Sequence, residues 1–446
     1  MSFRHRRPRV GAAILAAAAL ALAGCGDNTD SSGSGGGKTP ADGDAAAMET
    51  ATVWALNGGD QTAFEASFER WNAAHPDAQI KPEIFANEAY KEKIRTAVGA
   101  GQAPTLIWNW SGGTLNSYVA NNEVVEIGAQ TAALRGKLIP SVVANGEVNS
   151  GVYAVPMSSM QPVILYYNKA LFEKVGAQPP ATWDELLTVV GQFVDAGITP
   201  FALGGQSKWP ELMWIAYLTD RIGGPEAFDK VVAGEADAWS DPAFKEALTL
   251  IRQLIDAGGF GKSFSSVSTD ANADIALVHT DKAAMILQGS WCAQNFKTDN
   301  PEWVAAGNLG FLGFPEVTGG KGDPANITGN PANYWSVAAS ATAGAQATAT
   351  AYLAETLFDD AYIADVIAGG GIPPVTGLES QLAAQEDAEY LTFAYSMAVN
   401  APHFQLSWDQ ALPADQAQEL LTNLDLVFLG QSTPDDFVAA MNATLK

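Results

Sequence analysis

Short apolar segments alternate along the chain with longer segments in which apolar residues recur every three or four positions. Residues 52–56 form the first apolar segment, and the helix predicted after it places Phe64, Phe68 and Trp71 on one face. The same order recurs downstream, where residues 105–110 form another apolar strand. Strands that alternate with helices in this way predict an α/β fold with a mainly parallel sheet covered on both faces.

One stretch, residues 153–186, predicts a passage of the chain between two bodies. Two apolar strands are separated there by a small polar run from Ser158 to Gln161, without the residues of a tight turn. Pro156 ends the first of these strands because it cannot donate a hydrogen bond to a sheet. We interpret the polar run as a crossover between two lobes.

The N-terminus has the pattern of an export signal. Four arginines between positions 4 and 9 precede an uncharged apolar run over residues 11–24, which is too short to span a bilayer comfortably. The run ends in Leu-Ala-Gly-Cys, which resembles the bacterial lipobox, so residues 1–25 are expected to be a lipoprotein signal peptide with lipid attached at Cys25. Residues 26–50 are rich in Gly, Ser, Asp and Ala and predict a flexible tether.

Length, charge and cysteine content limit the class of protein. The roughly 400 residues after the tether are enough for two hydrophobic cores. A formal net charge of −25 at pH 7 disfavours nucleic acid as a partner. Once Cys25 is acylated, only Cys292 remains, so no internal disulfide is expected. The histidines lack the spacing of metal ligands, and we predict neither a metal nor a cofactor.

Several short motifs follow one another in an order that resembles a known protein family. They are VPMSSMQPVILYYNKALF at 155–172, PPATWDEL at 179–186, KAAMILQGSW at 282–291, GFLGFP at 310–315 and GIPPVTG at 371–377. Together they resemble the extracellular sugar-binding proteins of ABC importers, solute-binding protein family 1, which includes maltose-binding protein. The resemblance implies a two-lobed periplasmic-binding-protein-like α/β fold (type II), with the ligand in a cleft between lobes that are joined by hinge strands.

The resemblance also implies a domain division and a set of partners. Lobe 1 would comprise residues 51–158 plus 316–357, and lobe 2 residues 159–315 plus 358–446. The protein would be an exported monomer, lipid-anchored to the outer face of the cell membrane, that delivers a neutral di- or trisaccharide to permease subunits served by a cytoplasmic ATPase. Residues 403–413 resemble the tails of actinobacterial binders of xylobiose-like or chitobiose-like oligosaccharides.

The candidate site residues follow from the chemistry of a sugar. A sugar ring offers flat C–H faces and many hydroxyls, so its site needs aromatic platforms and planar polar side chains. The part of the chain after the signal has only five arginines, which favours a neutral saccharide over an anionic one. Family motifs imply sugar contacts for Trp291, Trp209 and Gln161. The full set of predicted sugar-binding residues is Asn57, Gly58, Asn87, Trp110, Gln161, Trp209, Gln288, Trp291, Trp335, Trp408 and Asp409.

Two other classes of function remain open at this point. A secreted glycosidase would need two carboxylates about 5–9.5 Å apart across a scissile bond, and no such pair stands out at the predicted strand ends. A surface lipoprotein that binds another protein would lack a cleft that responds to a small ligand. We therefore predict a binding protein and not an enzyme.

Overall fold

Strands and helices alternate along residues 46–445, the part of the chain that the computed structural model describes. The strands are β1 (Ala51–Leu56), β2 (Ile80–Phe85), β3 (Leu106–Asn109), β4 (Glu147–Val148), β5 (Gly151–Val152), β6 (Val155–Pro156), β7 (Gln161–Asn168), β8 (Thr199–Ala202), β9 (Ala283–Gly289), β10 (Leu309–Leu312), β11 (Ile327–Asn330), β12 (Tyr334–Val337) and β13 (Phe404–Leu406). The predicted signal peptide, Cys25 and residues 26–45 of the predicted tether lie outside the described residues.

The α-helices cover the sheets and form the periphery of the molecule. They are α1 (Gln61–Ala74), α2 (Asn87–Gly99), α3 (Gly112–Ala120), α4 (Ala132–Arg135), α5 (Pro140–Ala144), α6 (Lys169–Val175), α7 (Trp183–Asp195), α8 (Trp209–Gly223), α9 (Glu226–Val232), α10 (Pro242–Asp256), α11 (Ala273–His279), α12 (Trp291–Asp299), α13 (Pro301–Ala305), α14 (Ala343–Glu355), α15 (Asp360–Ala368), α16 (Glu379–Leu382), α17 (Ala388–Asn400), α18 (Trp408–Ala411), α19 (Ala414–Phe428) and α20 (Pro434–Asn442). None of these helices combines the length and the apolar character needed to cross a membrane.

The first sheet has the strand order β2-β1-β3-β12-β6. Strand β1 pairs in parallel with β2 and β3, while β12 runs antiparallel to β3 and β6. Every residue of β3 and β12 is buried, as expected for strands covered on both faces. Helix α1 packs against α15 beside this sheet, and an ion pair of 2.7 Å joins Arg70 to Asp365 across the two helices.

The second sheet is built around β7 and differs from the mainly parallel sheet that the alternation predicts. Its order is β13-β11-β7-β9-β8, with β10 also paired to β7. Strand β7 is antiparallel to β9, β10 and β11, and only the β8–β9 and β11–β13 pairs are parallel. The apolar run from Val163 to Tyr166 is buried, since neighbouring strands and helices cover it on all sides. The sequence predicted β7 as a strand but not β11 and β13, and the direction of a strand depends on long-range pairing.

Within residues 46–445 the chain passes between the two sheets three times, and two of these passages are adjacent; the third runs from β12 to β13 through α14–α17. Residues 157–160 connect β6 of the first sheet to β7 of the second, as the sequence predicted. Residues 331–333 make a second passage, from β11 to β12, which the sequence analysis did not identify. The two segments are hydrogen-bonded to each other: the Met157 N–H donates to the Asn333 carbonyl at 2.8 Å, and the Asn333 N–H donates to Ser158 Oγ at 2.9 Å. Both passages therefore form one paired hinge.

Glu211, in the first turn of α8, is a buried acid without a hydrogen-bond partner among the described residues. The nearby ammonium of Lys208 is engaged by Asp425, with Nζ and Oδ2 3.0 Å apart. Burial, followed by repulsion from Asp425, raises the pKa of Glu211 to about 9. The folded protein therefore holds Glu211 as the neutral acid near neutral pH.

We expect the neutral Glu211 to give a distinctive pH dependence of stability. Its contribution is fully present below the ordinary pKa of a glutamate and is lost as pH rises from there towards about 9. Glu211→Gln removes this titration, so the free energy of unfolding of the wild type should fall by ~2 kcal/mol relative to the variant between pH 5 and pH 6.5. Urea unfolding at both pH values measures the difference. If the free energies of unfolding of the wild type and Glu211→Gln change equally between the two pH values, the prediction is wrong. Glu235→Gln, at an exposed position, is the matched control.

Candidate functional site

A cavity lies between the two sheets at the ends of strands from both. Its empty volume is about 1220 Å³, part of which is open to solvent. On one side it is lined by residues that follow β1, β2 and β3, and on the other by residues that follow β8, β9 and β13. Open α/β sheets bind ligands at the carboxyl ends of their strands, so this position marks the cavity as the candidate site.

Most of the predicted site residues meet at this cavity. Gln161 lies on its floor, where the hinge enters β7, and the others come from loops and helix starts next to strand ends. The eight predicted residues that line the cavity are Asn57, Gly58, Asn87, Trp110, Gln161, Trp209, Trp291 and Asp409.

Three of the predicted residues lie in the core and not in the lining. Gln288 is 1% exposed, and its Nε2 donates to Asp274 Oδ2 at 3.1 Å. Trp335 is fully buried, because its position on β12 points its ring into the helix layer. Trp408 is 1% exposed and stacks on Phe228 with ring centroids 4.2 Å apart. Packing accounts for all three side chains, and we leave them out of the proposed site.

Two indole rings form one wall of the cavity. Trp209 begins α8 and Trp291 begins α12, and their ring centroids lie 5.9 Å apart at an interplanar angle of 59°. Gly289 makes this position of Trp291 possible, since a Cβ on Gly289 would overlap with the indole ring. The glycine of the Gly-Ser-Trp motif is therefore explained sterically, because the ring of Trp291 lies against the backbone at the end of β9.

Trp110 stands on the other wall, next to a strained residue. Its ring packs edge-on against Tyr90, with centroids 5.8 Å apart, and Lys91 Nζ lies 5.8 Å from its centroid. The following residue, Ser111, has φ 65° and ψ −151°, a conformation that residues other than glycine rarely adopt. The Ser111 N–H donates to Asn109 Oδ1 at 2.8 Å, and its hydroxyl donates to the Trp110 carbonyl. These bonds fix the backbone that presents the indole.

Asp60, which the sequence analysis did not single out, connects the lining to the hinge. It is 7% exposed and accepts three hydrogen bonds: from the Ser159 N–H at 2.6 Å, from Ser159 Oγ at 2.9 Å and from Gln294 Nε2 at 2.7 Å. Burial raises the pKa of Asp60, although these donors counteract the shift. One carboxylate thus joins the loop after β1, the hinge and α12.

The cavity contains further polar residues that sequence reasoning missed. Asp270, Asn330 and Asn333 line it, and each has a buried side-chain oxygen without a hydrogen-bond partner among the described residues. Asp409, by contrast, accepts from Ser407 Oγ at 2.8 Å and from Gln410 Nε2 at 2.7 Å. Asn330 and Asn333 flank the second hinge passage, so the signal that could have found them was the polar Asn-Pro-Ala-Asn run between two apolar strands.

The charged side chains in the lining are mainly acidic. They are Asp60, Asp270, Asp409 and Lys91. Within residues 46–445, no three His, Cys, Asp or Glu side chains are grouped so that they could hold a metal ion. The arrangement offers indole faces, amides and carboxylates to a ligand, which suits a molecule with apolar faces and hydroxyl groups.

Comparison with known proteins places the chain in a family. Residues 55–362 match the family described as bacterial extracellular solute-binding proteins. A Pyrococcus horikoshii protein, an uncharacterized ABC transporter extracellular-binding protein, is 27% identical over 268 residues, 59% of each chain. The multiple sugar-binding protein of Streptococcus mutans is 28% identical over 180 residues, 40% of this chain and 41% of that one. These alignments span about half the length of the curated relatives.

A solved structure extends the similarity over nearly the whole folded part. A protein of Caldanaerobius polysaccharolyticus, described in connection with xylan utilization, superposes with a TM-score of 0.79 and 28% sequence identity. The match covers 89% of this chain and 100% of that one. The two-lobed α/β fold predicted from the sequence is thereby confirmed, with one lobe around each sheet. The match over residues 55–362 covers more than half of the chain, which therefore belongs to the family of bacterial extracellular solute-binding proteins.

Proposed function

We propose that this protein is the lipid-anchored substrate-binding component of an ABC importer and that it binds a neutral oligosaccharide in the cavity between its lobes. The proposal rests on one observation: tryptophan rings line the cavity on the side of each lobe. Trp110 lies on the first lobe, and Trp209 and Trp291 lie on the second, with amides and carboxylates between them. Indole rings bind the C–H faces of a sugar, and the polar groups bind its hydroxyls.

The aromatic rings and the charge of the cavity limit the choice of ligand. Three indole rings line it, those of Trp110, Trp209 and Trp291, and several platforms favour a ligand with more than one sugar ring. Lys91 is the single cation among the lining residues, against three carboxylates, and its Nζ is already paired with Glu88 Oε1 at 3.3 Å, which disfavours anionic sugars. Because the Caldanaerobius polysaccharolyticus protein is connected with xylan utilization, xylo-oligosaccharides are the first candidates.

Closure about the paired hinge is the proposed mechanism. The passages at 157–160 and 331–333 set the lobe boundaries and correct those predicted at residues 316 and 357. Strand β11 (Ile327–Asn330) pairs in the second sheet and belongs to lobe 2, whereas α15 (Asp360–Ala368) packs on α1 and belongs to lobe 1. A sugar that touches both walls contacts all of its partners only when the lobes are closed, so it shifts the population towards the closed form. The permease subunits would recognise that form, while acylated Cys25 and the tether keep the protein at the outer face of the membrane.

A thermal-shift assay with a saccharide panel tests the proposed function. The panel contains xylo-, chito- and malto-oligosaccharides of one to four rings, together with a uronic acid. A ligand that binds only the folded protein stabilises it by about 2.7 kcal/mol at one hundred times its Kd, so a neutral oligosaccharide should raise Tm by several degrees. If no saccharide raises Tm, the proposed function is wrong. If a saccharide is instead cleaved, with products found by chromatography, the protein is a secreted enzyme.

The contact between α3 and the segment after α18 gives a test of closure. Gly113, near the start of α3, lies so close to Leu412 that an added Cβ would overlap with the Leu412 carbonyl. Helix α3 packs in the core of the first lobe through Leu115, whereas Leu412 packs in the core of the second. The absence of a side chain at Gly113 therefore allows the lobes to meet.

Gly113→Ala is expected to weaken sugar binding about tenfold or more by opposing closure. Overpacking of this kind costs typically 1–3 kcal/mol, and the cost falls on the closed form alone. Titration calorimetry measures the affinity, and small-angle X-ray scattering shows whether sugar still compacts the protein. Gly191→Ala is the matched control, since nothing lies within 4 Å of the Cβ added there. Equal affinities for the two variants would rule out this contact as part of closure.

A further inference from the structure

Each of the two aromatic walls has a strained residue other than glycine next to a tryptophan. In the first wall Ser111, with φ 65° and ψ −151°, follows Trp110. In the second wall Lys208, with φ 60° and ψ −45°, precedes Trp209. Lys208 lies outside the left-handed helical region, which Asn272 adopts with φ 51° and ψ 26°. Strained conformations of this kind persist only where the surrounding structure imposes them, and they concentrate at ligand sites.

Contacts on both sides of Lys208 account for its conformation. Before it, the 3₁₀ turn Gly205–Ser207 is held by Thr269, whose hydroxyl donates to Ser207 Oγ at 2.8 Å. After it, helix α8 is fixed in the core of the second lobe. A residue between two segments that are each held in place must adopt the dihedral angles that join them. The strain at Lys208 therefore follows from the positions of the turn and of α8.

The side chain of Lys208 is held by α19, which packs on α8. Its Nζ lies 3.0 Å from Asp425 Oδ2, and the Asp425 side chain is 14% exposed, so solvent screens this pair less than a surface pair. Neither residue belongs to the lining of the cavity. Trp209 Nε1 has no hydrogen-bond partner among the described residues, so the position of this indole depends on its backbone and on packing.

We propose that Lys208 is a positioning residue for sugar binding: its ion pair with Asp425 keeps the backbone before Trp209 in the strained conformation that sets the indole beside Trp291. The proposal rests on the proposed function and adds a residue outside the cavity that determines the shape of one wall. Immobilising a side chain on binding lowers affinity, so a platform that is already in place binds more tightly. Without the ion pair, the segment before α8 can leave the strained conformation and the indole loses its fixed position.

The first experiment measures the position of the indole without sugar. Two indole rings whose centroids lie 5.9 Å apart at an angle of 59° couple, and they give paired bands of opposite sign in far-ultraviolet circular dichroism. The difference between the spectra of the wild type and Trp209→Phe isolates the signal of Trp209 and Trp291 from that of the other tryptophans. We expect Lys208→Met and Asp425→Asn to lose most of this difference signal. Lys208→Arg should retain it, because arginine keeps the ion pair.

Titration calorimetry measures the consequence for binding. Xylotriose is the first probe, and the panel saccharide with the largest increase in Tm replaces it if xylotriose does not bind. Lys208→Met and Asp425→Asn should each weaken binding about three- to fivefold, the contribution expected of a partly exposed ion pair. The double variant should bind no more weakly than either single one, because the same pair is lost. Lys230→Met is the matched control, since Lys230 pairs with Asp241 at 3.6 Å and neither lines the cavity.

The outcomes separate this inference from the proposed function. An unchanged coupled signal in both variants, or a reduced signal with wild-type affinity for the sugar, would overturn the inference and leave the proposed function intact. An equal loss of affinity in Lys230→Met, or no recovery in Lys208→Arg, would also overturn it. If no saccharide of the panel binds, the proposed function is wrong, and the circular dichroism still decides whether Lys208 positions Trp209.

Discussion

Replacing Trp291 with alanine is expected to weaken binding of the oligosaccharide by ten- to a hundredfold while the fold remains intact. The indole is half-buried at the start of α12 and lies 5.9 Å from the ring of Trp209, so its removal takes away one wall of the cavity and no central part of the core. Loss of an aromatic face that is covered by a ligand costs about 1.5–3 kcal/mol, which corresponds to that range of affinity.

Fluorescence titration with the sugar measures the effect of Trp291→Ala, and circular dichroism reports the fold. Trp291→Phe is the matched control, because a smaller ring at the same place should retain most of the affinity. If the alanine variant binds the sugar as tightly as the wild type, Trp291 does not form a wall of the binding site.

Asp60→Ala is expected to reduce the free energy of unfolding by about 3–5 kcal/mol and to weaken sugar binding as well. The substitution removes the acceptor for three hydrogen bonds and leaves the buried donors of Ser159 and Gln294 unpaired. Because these bonds join the loop after β1, the hinge and α12, their loss should affect both stability and the geometry of closure. Urea unfolding and titration calorimetry measure the two effects.

Asp60→Asn is the control for the charge of this residue. Burial raises the pKa of Asp60, although the hydrogen bonds from Ser159 and Gln294 counteract the shift. Its contribution to stability is present below the ordinary pKa of an aspartate and is lost as pH rises through the raised value. The asparagine variant keeps one acceptor oxygen and should lie between the wild type and Asp60→Ala. If the free energy of unfolding of Asp60→Ala lies within about 1 kcal/mol of the wild-type value, the hydrogen bonds of Asp60 do not stabilise the fold.

The sequence was most informative where function coincides with the end of a strand. Asn57 and Trp110 could be placed at the cleft because each follows an apolar strand, and the small polar run before Gln161 indicated a hinge. A residue that directly follows a strand lies at the edge of the sheet, and this position can be predicted from the local sequence without knowing how the strands pair.

The sequence was least informative where tertiary packing decides which ring is buried. Trp335 and Trp408 stand beside polar residues in the sequence, as an aromatic residue that binds a sugar would. In the structure, however, Trp335 faces the helix layer and Trp408 stacks on Phe228. Asp60 was missed because its partners, Ser159 and Gln294, are distant in sequence. The antiparallel direction of β7 was missed for the same reason, since strand direction is set by long-range pairing.

The central claim is that the cavity between the lobes binds a neutral oligosaccharide across both aromatic walls. Titration calorimetry of the wild type with xylobiose, xylotriose and the other di- and trisaccharides of the panel tests it most directly. The account predicts saturable binding of one sugar per protein for at least one of them, with weaker binding of the corresponding single-ring sugar and of uronic acids. Absence of binding by every neutral saccharide, or tighter binding of an anionic one, would contradict it.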